Sequence, residues 1–417
     1  MVVETQAAAS GAAPDEVESR YAWQRLLVAL LLSTIGGVGL WSSVVVLPAI
    51  QAEFGAARGG ASLPYTATMI SFALGGIVMG RLADRFGIIV PSLVGAVALC
   101  LGYILAAQTA SLWQFAAVQG LLIGALGSSA TFGPLVADVS HWFTRNRGIA
   151  MGICASGNYV AGTIWPPVLQ HFVETVGWRQ THIGVGIFCA VTMLPLSLAL
   201  RRPTPVSHGT TAAASPRARV TGTAASRLSP GALQALLSLA GLACCVAMSM
   251  PQVHIVAYCG DLGYGVARGA EMLSLMLGFG AISRLASGWI SDHIGGVPTL
   301  LLGSALQCLT LLFYLPFDGL TSLYIVSALF GLSQGGIVPS YAMIIREYFP
   351  AREAGTRLGI VLMATIFGMA LGGWMSGAIY DLTGSYRAAF VNGILWNVLN
   401  AAIALWLLRQ PRREAYA

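Results

Sequence analysis

The sequence predicts an all-α membrane protein in which twelve transmembrane helices form two six-helix halves. The chain is 56 % hydrophobic and 9 % charged, with a mean hydropathy of +0.74, whereas a soluble domain carries about 25 % charged residues. The apolar residues also fall into runs long enough to cross a bilayer, which requires about 20 residues per helix. Because so few ionic groups cannot cover a core of this size, the composition argues against a water-soluble enzyme.

Twelve apolar runs account for most of the chain, and each predicts one transmembrane helix. Residues 1–22 are polar and acidic, which predicts a disordered cytoplasmic tail and not a cleavable signal sequence. Residues 201–230 are rich in Pro, Ser, Thr and Arg, which is typical of a flexible linker. The predicted organisation is a bundle of residues 23–200, a cytoplasmic linker 201–230, a bundle of residues 231–410 and a cytoplasmic tail 411–417. The runs have approximate edges at 25–50, 64–84, 88–108, 112–137, 148–172, 181–200, 232–258, 268–290, 298–316, 321–345, 357–380 and 387–408.

The arginines predict how the chain is oriented, since the sequence has no lysine and all 22 of its basic side chains are arginine. Seventeen lie on the side of the two termini, and this bias places both termini in the cytoplasm of a bacterial inner-membrane protein. The arginines stand between apolar runs and form no basic stripe, so we expect membrane lipid and no nucleic acid as a partner. The opposite side holds Arg58, Arg179, Arg268 and Arg387.

The two halves of the sequence carry related segments at matching positions. Gly80-Arg-Leu-Ala-Asp-Arg-Phe-Gly87 follows the second run, and Gly288-Trp-Ile-Ser-Asp-His-Ile-Gly295 follows the eighth. Trp142-Phe143 after the fourth run corresponds to Tyr348-Phe349 after the tenth. Offsets near half the chain length predict a duplicated unit, with the two copies related by an axis normal to the membrane. A substrate site is then expected near the midplane, between the halves.

These features resemble the major facilitator superfamily of transporters over essentially the whole chain. Residues 80–87 match the G-x-x-x-D-R-x-G motif between its second and third helices, although Ile88 and Ile89 stand where basic residues usually follow. Within the superfamily the chain resembles the monocarboxylate transporter and oxalate/formate antiporter group. The resemblance implies the major facilitator fold, alternating access, no cofactor and function as a monomer. The segments that carry the closer match are Trp142-Phe143-x3-Arg147-Gly148-x-Ala150-x-Gly152 with Gly157 and Gly162, Gly373-x3-Gly377-x2-Tyr380-Asp381-x-Thr383-Gly384-Ser385-Tyr386, and Arg284.

The resemblance also implies a gating role for the charged residues of the loop motif. Asp84 would cap the junction after the second helix, and Arg85 would reach Asp138 at the end of the fourth. Such a cluster would latch the two halves while the outer side is open. Asp292 with His293 makes a weaker second copy, because histidine is mostly neutral at pH 7. The alternative is that these charges only anchor short loops.

Arg284 is the arginine that membrane topology does not explain, because it lies inside an apolar run. It lies well inside the eighth run, where an arginine costs about 2.5–3.5 kcal/mol on insertion scales. No acidic residue stands in the interior of any run to pair with it, since Glu271 and Asp138 lie near helix ends. One interpretation is that the side chain extends to the cytoplasmic surface. The other is that its partner is the cargo, because a guanidinium binds a carboxylate through two parallel hydrogen bonds.

The single buried cation favours a small monocarboxylate, such as lactate or pyruvate, as the substrate. A dicarboxylate such as oxalate would favour two cations, and the eleventh run from Leu358 to Tyr380 contains none. Animal members of the group place a lysine in the first helix and an aspartate one turn before the arginine. Here the first run has no lysine and Gly280 stands at that turn. The coupling mechanism therefore has two alternatives, entry of a proton with the anion or exchange for a second anion, and the resemblance favours the proton.

Further polar residues in the apolar runs are candidates to complete the substrate site. Gln334 and Tyr341 are spaced i, i+7 and would share one face of a continuous helix. Phe367 would bound the cavity on its apolar side. For each candidate the alternative is an ordinary contact between helices. The predicted substrate-binding residues are Arg284, Asn158, Tyr159, Gln334, Tyr341, Phe367, Thr131 and Ser128.

Other classes of function find little support in the sequence. The seven cysteines lie in apolar runs without CxxC or Cys/His spacing, so we expect no metal site. There is no HExxH, Walker or Ser/His/Asp pattern, so we expect neither an enzyme nor an ATP-driven pump. Two alternatives remain within transport: an anion exchanger of the oxalate/formate type, and a drug or metabolite exporter that binds through aromatic residues and does not need Arg284.

Overall fold

The computed structural model describes residues 17–202 and 229–410, and within them every regular element is a helix. The helices form twelve long segments, six before and six after the gap, and a short helix, Leu47–Phe54, follows the first of them. Most of the predicted tails and of the predicted linker lies outside the described residues. The segments are α1 Arg20–Val45, α2 Arg58–Phe86, α3 Ile89–Ala106, α4 Leu112–Trp142, α5 Arg147–Val176, α6 Trp178–Ala199, α7 Pro230–Asp261, α8 Val266–Ile294, α9 Gly296–Phe313, α10 Leu320–Tyr348, α11 Ala351–Thr383 and α12 Tyr386–Arg409.

Eleven of these segments are long and apolar enough to cross a membrane, and α5 is the exception among the described residues. Its 30 residues span about 45 Å, so length is not the reason. Instead α5 carries Asn158, Tyr159 and Gln170 together with Pro166 and Pro167, which make it less apolar. The predicted all-α membrane fold is confirmed, with eleven of the twelve expected spans meeting this criterion.

Four of the spans are interrupted: α2 is interrupted near its start, at Ser62, and the other three are interrupted in the middle of a helix. In α1 a break at Gly37 separates Arg20–Gly36 from Val38–Val45. In α4 the turns widen to a π-helix over Gln119–Gly127 and then tighten to a 3₁₀ turn, a distortion often found at functional sites. In α10 the helix stops at Gln334 and resumes at Ile337. The continuous helix expected to place Gln334 and Tyr341 on one face is therefore absent.

The halves α1–α6 and α7–α12 meet along two pairs of helices, α2 with α11 and α5 with α8. We call the face at which α1 begins and α12 ends the terminal face, and the opposite one the far face. In the first pair the hydroxyl of Thr66 donates to the carbonyl of Ala370 at 3.1 Å. In the second pair the hydroxyl of Ser274 donates to the carbonyl of Thr163. Arg284 lies on this second seam.

Candidate functional site

Arg284 extends from α8 onto α5 and so crosses the seam between the halves. Its guanidinium carbon lies 4.7 Å from the ring centroid of Tyr159, and its Nη1 is 3.5 Å from the carbonyl oxygen of Ala155. Its Nε is buried without a hydrogen-bond partner, while the residue as a whole is half-buried. No acidic side chain in the described part of the chain forms an ion pair with it. An aromatic face therefore supports this cation, and no carboxylate of the described residues neutralises it.

Gly280, one helical turn before Arg284, allows α5 and α10 to approach α8. A Cβ atom at this position would lie 2.6 Å from Cε1 of Tyr159 and 3.6 Å from Nε2 of Gln334. The first distance is shorter than any real Cβ contact, so the tyrosine ring occupies the space that a side chain would need. We call this point of contact the Gly280 notch. It brings together three residues that the sequence singled out, Arg284, Tyr159 and Gln334.

Gln334 forms a pair with Gln252 of α7, which the sequence analysis did not identify. Nε2 of Gln252 donates to Oε1 of Gln334 at 2.7 Å, and the two residues are 2 % and 0 % exposed. The remaining amide atoms, Oε1 of Gln252 and Nε2 of Gln334, are buried without a partner. The signal in the sequence was a single glutamine beside Pro251 in an otherwise apolar run. Gln252 could not be recognised from the sequence, because its contact is with Gln334, 82 residues away.

Three other predicted binding residues surround the break in α1. The hydroxyl of Ser128 donates to the carbonyl of Gly36 at 2.9 Å, and that of Thr131 donates to the carbonyl of Ser128 at 2.9 Å. Oδ1 of Asn158 lies 3.5 Å from the position that a Cβ on Gly37 would occupy. Since their described contacts are with one another or with α1, these residues support the interrupted helix. None of these contacts joins them to Arg284.

The last two predicted binding residues lie in the second half. The hydroxyl of Tyr341 donates to Oδ1 of Asn400 at 3.0 Å, and Nδ2 of Asn400 donates to Oγ of Ser304 at 2.6 Å. This network joins α9, α10 and α12 inside one half. Tyr341 therefore takes part in a different set of contacts from Gln334. Phe367 is half-buried in α11, and no described contact links it to Arg284.

The predicted contact between Arg85 and Asp138 is not formed in this structure. Asp138 is buried and accepts two hydrogen bonds from Arg25 of α1, at 2.8 Å from Nε and 2.9 Å from Nη2. Arg25 also stacks on Trp142 at 4.6 Å. A carboxylate enclosed by this fork has little capacity left for a second arginine. The pair therefore stabilises the first half internally and does not connect the motif loop.

The other predicted gating residues lie at the surface of the terminal face. Asp84 and Arg85 are exposed, and the guanidinium of Arg85 is 5.2 Å from the ring of Phe86. Asp292 is exposed at the corresponding end of α8. No ion pair among the described residues joins any of these three to the other half. Their gating role stays a prediction.

A cluster that the sequence analysis missed joins the two halves at the far face. Nη2 of Arg58 lies 3.0 and 2.9 Å from the carboxylate oxygens of Asp261. Asp381 accepts from the backbone N–H groups of Arg58 and Gly59, both at 2.7 Å, at the start of α2. The rings of Tyr380 and Tyr386 lie 5.0 and 5.8 Å from the same guanidinium. We call these five side chains, those of Arg58, Asp261, Tyr380, Asp381 and Tyr386, the Arg58 cluster.

The Arg58 cluster borders a cavity of about 420 Å³ at the far face, which is lined by Arg58, Asp261 and Gln51 among others. This cavity lies away from the Gly280 notch and from Arg284. The cation that faces it already has a carboxylate partner. The cavity therefore offers no free counter-charge to an anion.

Comparisons with a family model and with curated proteins identify the same family. The model of the Major Facilitator Superfamily matches residues 29–321 and 272–417. Monocarboxylate transporter 13 of Rattus norvegicus is 30 % identical over 306 residues, which cover 72 % of this chain and 68 % of the relative. Monocarboxylate transporter 13 of Bos taurus is 29 % identical over 326 residues, with coverage of 76 % and 73 %. An uncharacterised MFS-type transporter of Bacillus subtilis, YcxA, is 26 % identical over 391 residues, with coverage of 89 % and 91 %.

Solved structures share the fold at lower sequence identity. A bacterial homologue of the human lysosomal transporter Spinster, in an inward-facing and occupied conformation, superposes with a TM-score of 0.73 at 16 % identity. The match covers 95 % of this chain and 99 % of that one. A mutant form of the nucleoside transporter NupG gives a TM-score of 0.72 at 14 % identity, with coverage of 92 % and 100 %. These likenesses concern the arrangement of helices.

Proposed function

The chain belongs to the Major Facilitator Superfamily, and on this premise we propose that it is a secondary active transporter for a small monocarboxylate of the lactate or pyruvate kind. It moves this anion across the bacterial inner membrane by alternating access, together with a proton. The observation that carries the proposal is Arg284, a cation on the seam between the halves without an acidic partner among the described residues. The names of the monocarboxylate transporter relatives support the same class of substrate.

The energetic argument rests on the cost of an unpaired charge. Placing an arginine at the centre of a membrane helix costs about 2.5–3.5 kcal/mol on insertion scales. Tyr159 offsets part of this cost, because a guanidinium over an aromatic ring gains about 0.5–2 kcal/mol. A carboxylate that enters the seam supplies the missing negative charge and two hydrogen bonds. Because one guanidinium neutralises one carboxylate, the site selects a monovalent anion.

The proposed cycle follows from the same charge. When the acid is bound, Arg284 is neutralised and both halves can move around the loaded seam. When the site is empty, the unpaired cation slows that movement, so the return of the empty carrier, which symport requires, is the slow step of the cycle. A proton that enters with the anion and leaves with it gives symport, whereas return with a second anion gives exchange. The proposal places both termini in the cytoplasm, in agreement with the seventeen arginines on that side.

The test is uptake of labelled lactate, pyruvate and oxalate into proteoliposomes by wild type and by Arg284→Gln. We expect uptake of a monocarboxylate by wild type and loss of at least 100-fold in the variant, because the amide carries no charge. Arg268→Gln is the matched control, since this arginine of α8 is exposed at the far face and pairs with Glu271 at 3.0 Å. Unchanged uptake by Arg284→Gln contradicts the assigned site.

The same vesicles separate the coupling modes. An inward proton gradient stimulates symport, whereas exchange depends on unlabelled anion trapped inside. If uptake is equal with and without the gradient and rises with internal anion, exchange replaces symport. If wild type carries none of the acids but moves a bulky aromatic or cationic compound, the exporter alternative replaces both.

A further inference from the structure

The pair of amides at the Gly280 notch has two atoms with no hydrogen-bond partner. Gln252 and Gln334 are 2 % and 0 % exposed, and they share a single hydrogen bond of 2.7 Å. This bond uses one end of each amide and leaves Oε1 of Gln252 and Nε2 of Gln334 buried and unpaired. A buried polar group without a partner destabilises the protein, so such groups are rare. Two in one contact indicate a place that a polar ligand completes.

The number of unpaired donors and acceptors does not depend on how each amide is oriented. Oxygen and nitrogen of a glutamine are assigned from the surrounding hydrogen bonds, and both side chains could be turned around together. In that case Gln334 would donate to Gln252, and the unpaired atoms would be Nε2 of Gln252 and Oε1 of Gln334. Either way the pair presents one free donor and one free acceptor.

The pair lies next to the proposed anion site. Nε2 of Gln334 is 3.6 Å from the empty Cβ position of Gly280, and Cε1 of Tyr159 is 2.6 Å from that same position. The other side of the contact is Arg284, whose guanidinium lies 4.7 Å from the centroid of the Tyr159 ring. Gly280 and Arg284 are one helical turn apart, about 6 Å along the axis. The proposed anion site at Arg284 and the Gln252–Gln334 pair therefore lie beside the same stretch of α8, one helical turn apart.

We propose that Gln252 and Gln334 form a specificity-determining pair that recognises an oxygen atom on the second carbon of the acid. This inference rests on the proposed function and assigns to these two amides the choice among short acids. A hydroxyl or keto oxygen accepts the free amide N–H, whereas an unsubstituted acid leaves that N–H desolvated and unpaired. Sites built to hydrogen-bond a substrate oxygen discriminate strongly against analogues that lack it.

The experiment compares three acids of equal carbon number, lactate, pyruvate and propionate, in proteoliposome uptake. For wild type we expect both oxygenated acids to exceed propionate in kcat/KM by at least 10-fold. In the double variant Gln252→Leu with Gln334→Leu both amides become apolar together, and the ratio should fall to within about 2-fold of unity while propionate uptake is retained. Gln307→Leu is the matched control, because Gln307 is also buried in the second half with an unpaired Oε1 but contacts Cys244 instead of the notch. It should keep the wild-type ratio.

The outcomes separate this inference from the function on which it rests. If wild type carries propionate as well as lactate, or if the double variant keeps the full discrimination, the pair is not a specificity determinant and the transport proposal stands. If wild type carries none of the acids, both proposals fall. Should the double variant not fold, competition of unlabelled propionate with labelled lactate in wild type decides the question, and equal competition overturns the inference.

Discussion

Two arginines lie at the seam between the halves, and their surroundings differ in one respect. Arg58, at the far face, is 6 % exposed and bound to both carboxylate oxygens of Asp261. Arg284, deeper along the seam, has an aromatic ring beneath it but no carboxylate among the described residues. Both cations stack on tyrosine, so the aromatic contact is common to the two sites. The permanent counter-charge is what distinguishes them.

This difference indicates two uses of the same residue type. A buried guanidinium with a protein carboxylate is satisfied in one conformation, so Arg58 favours the arrangement of the two halves seen in this structure. A guanidinium without one would be neutralised by an incoming anion, so under the proposed function Arg284 makes the energy of the seam depend on the ligand. The comparison predicts that a carboxylate placed beside Arg284 should make it resemble Arg58. Removal of the carboxylate beside Arg58 should have the opposite effect.

Among the changes that keep both arginines and alter only their surroundings, the largest effect should follow from giving Arg284 a carboxylate of its own through Gly280→Asp. An aspartate one turn away on α8 lies within reach of the guanidinium and competes with the acid for it. We expect kcat/KM for the carried acid to fall by about 10- to 100-fold, which corresponds to the 1.5–3 kcal/mol of a charged hydrogen bond. The measurement is proteoliposome uptake over a range of substrate concentrations.

Gly280→Ala is the control for volume alone. Its Cβ would lie 2.6 Å from Cε1 of Tyr159, so the ring must move in both variants. The difference between the alanine and aspartate variants therefore reports the charge. If both lose the same amount of uptake, the effect is steric and the contrast between the two arginines is not the counter-charge.

The next effect, on stability, should come from Asp261→Asn, which leaves Arg58 buried without a charge partner. Removing one member of a fully buried pair costs about 3–5 kcal/mol. The Asp261 side chain is 35 % exposed, so we expect about 1–3 kcal/mol here. Thermal unfolding in detergent should show a lowered midpoint, and the double variant Arg58→Gln with Asp261→Asn should recover part of the loss. Arg284→Gln should lower the midpoint less than Asp261→Asn does, since it leaves no buried charge behind and Arg284 has no carboxylate partner among the described residues.

The fold and part of the site could be predicted from the sequence because their signals are local. A run of apolar residues defines a helix by itself, and a charge inside such a run is conspicuous wherever its partner lies. Arg284, Tyr159 and Gln334 stood out in this way, and the structure brings them to one notch. The interruptions were not predicted, because a glycine such as Gly335 in an apolar run is also compatible with an unbroken membrane helix.

The pairs that the sequence did not reveal join residues far apart in the chain. Arg25 and Asp138 are 113 residues apart, and Arg58 and Asp261 are 203 apart. Arg25 and Arg58 stood at predicted helix ends, where a positive charge is already explained by topology. Only the packing of α1 against α4, and of α2 against α7 and α11, shows that each has a carboxylate partner. The same holds for Gln252, whose role depends on its contact with Gln334.

Substitutions of Tyr159 should have an intermediate effect on uptake, because they leave the charge of Arg284 in place. They change only the ring or the hydroxyl beside it. Tyr159→Phe keeps the ring under the guanidinium and should raise KM by less than about 3-fold. Tyr159→Leu removes the ring, and the loss of about 0.5–2 kcal/mol should raise KM by about 2- to 30-fold. Uptake kinetics of the two variants check this order. If phenylalanine is as harmful as leucine, the hydroxyl and not the ring is the functional group.

The smallest effect concerns a third arginine, Arg179, which lies within the first half at the far face. Its Nη2 is 2.6 Å from Oε1 of Glu53, and Nε1 of Trp178 donates to Oε2 at 2.5 Å. Burial raises the pKa of Glu53, but the hydrogen bonds from Arg179 and Trp178 outweigh it, so that the net pKa is lowered from its ordinary value. This pair is solvent-accessible, which makes it a reference for what an ion pair contributes at the surface.

A lowered pKa fixes the sign of the pH dependence. The charged form of Glu53 is favoured in the folded state, so its contribution is present at neutral pH, above the unfolded pKa of about 4.3, and is lost as the pH falls through the folded value. Glu53→Gln should therefore be less stable than wild type at pH 7, by no more than about 1 kcal/mol. The gap should close as the pH falls through the lowered pKa of Glu53, as thermal midpoints in detergent at neutral and at acidic pH would show. A gap that is equal at both pH values would mean that the side chain stabilises the first half by packing, and that its charge is no guide to the contribution of Asp261.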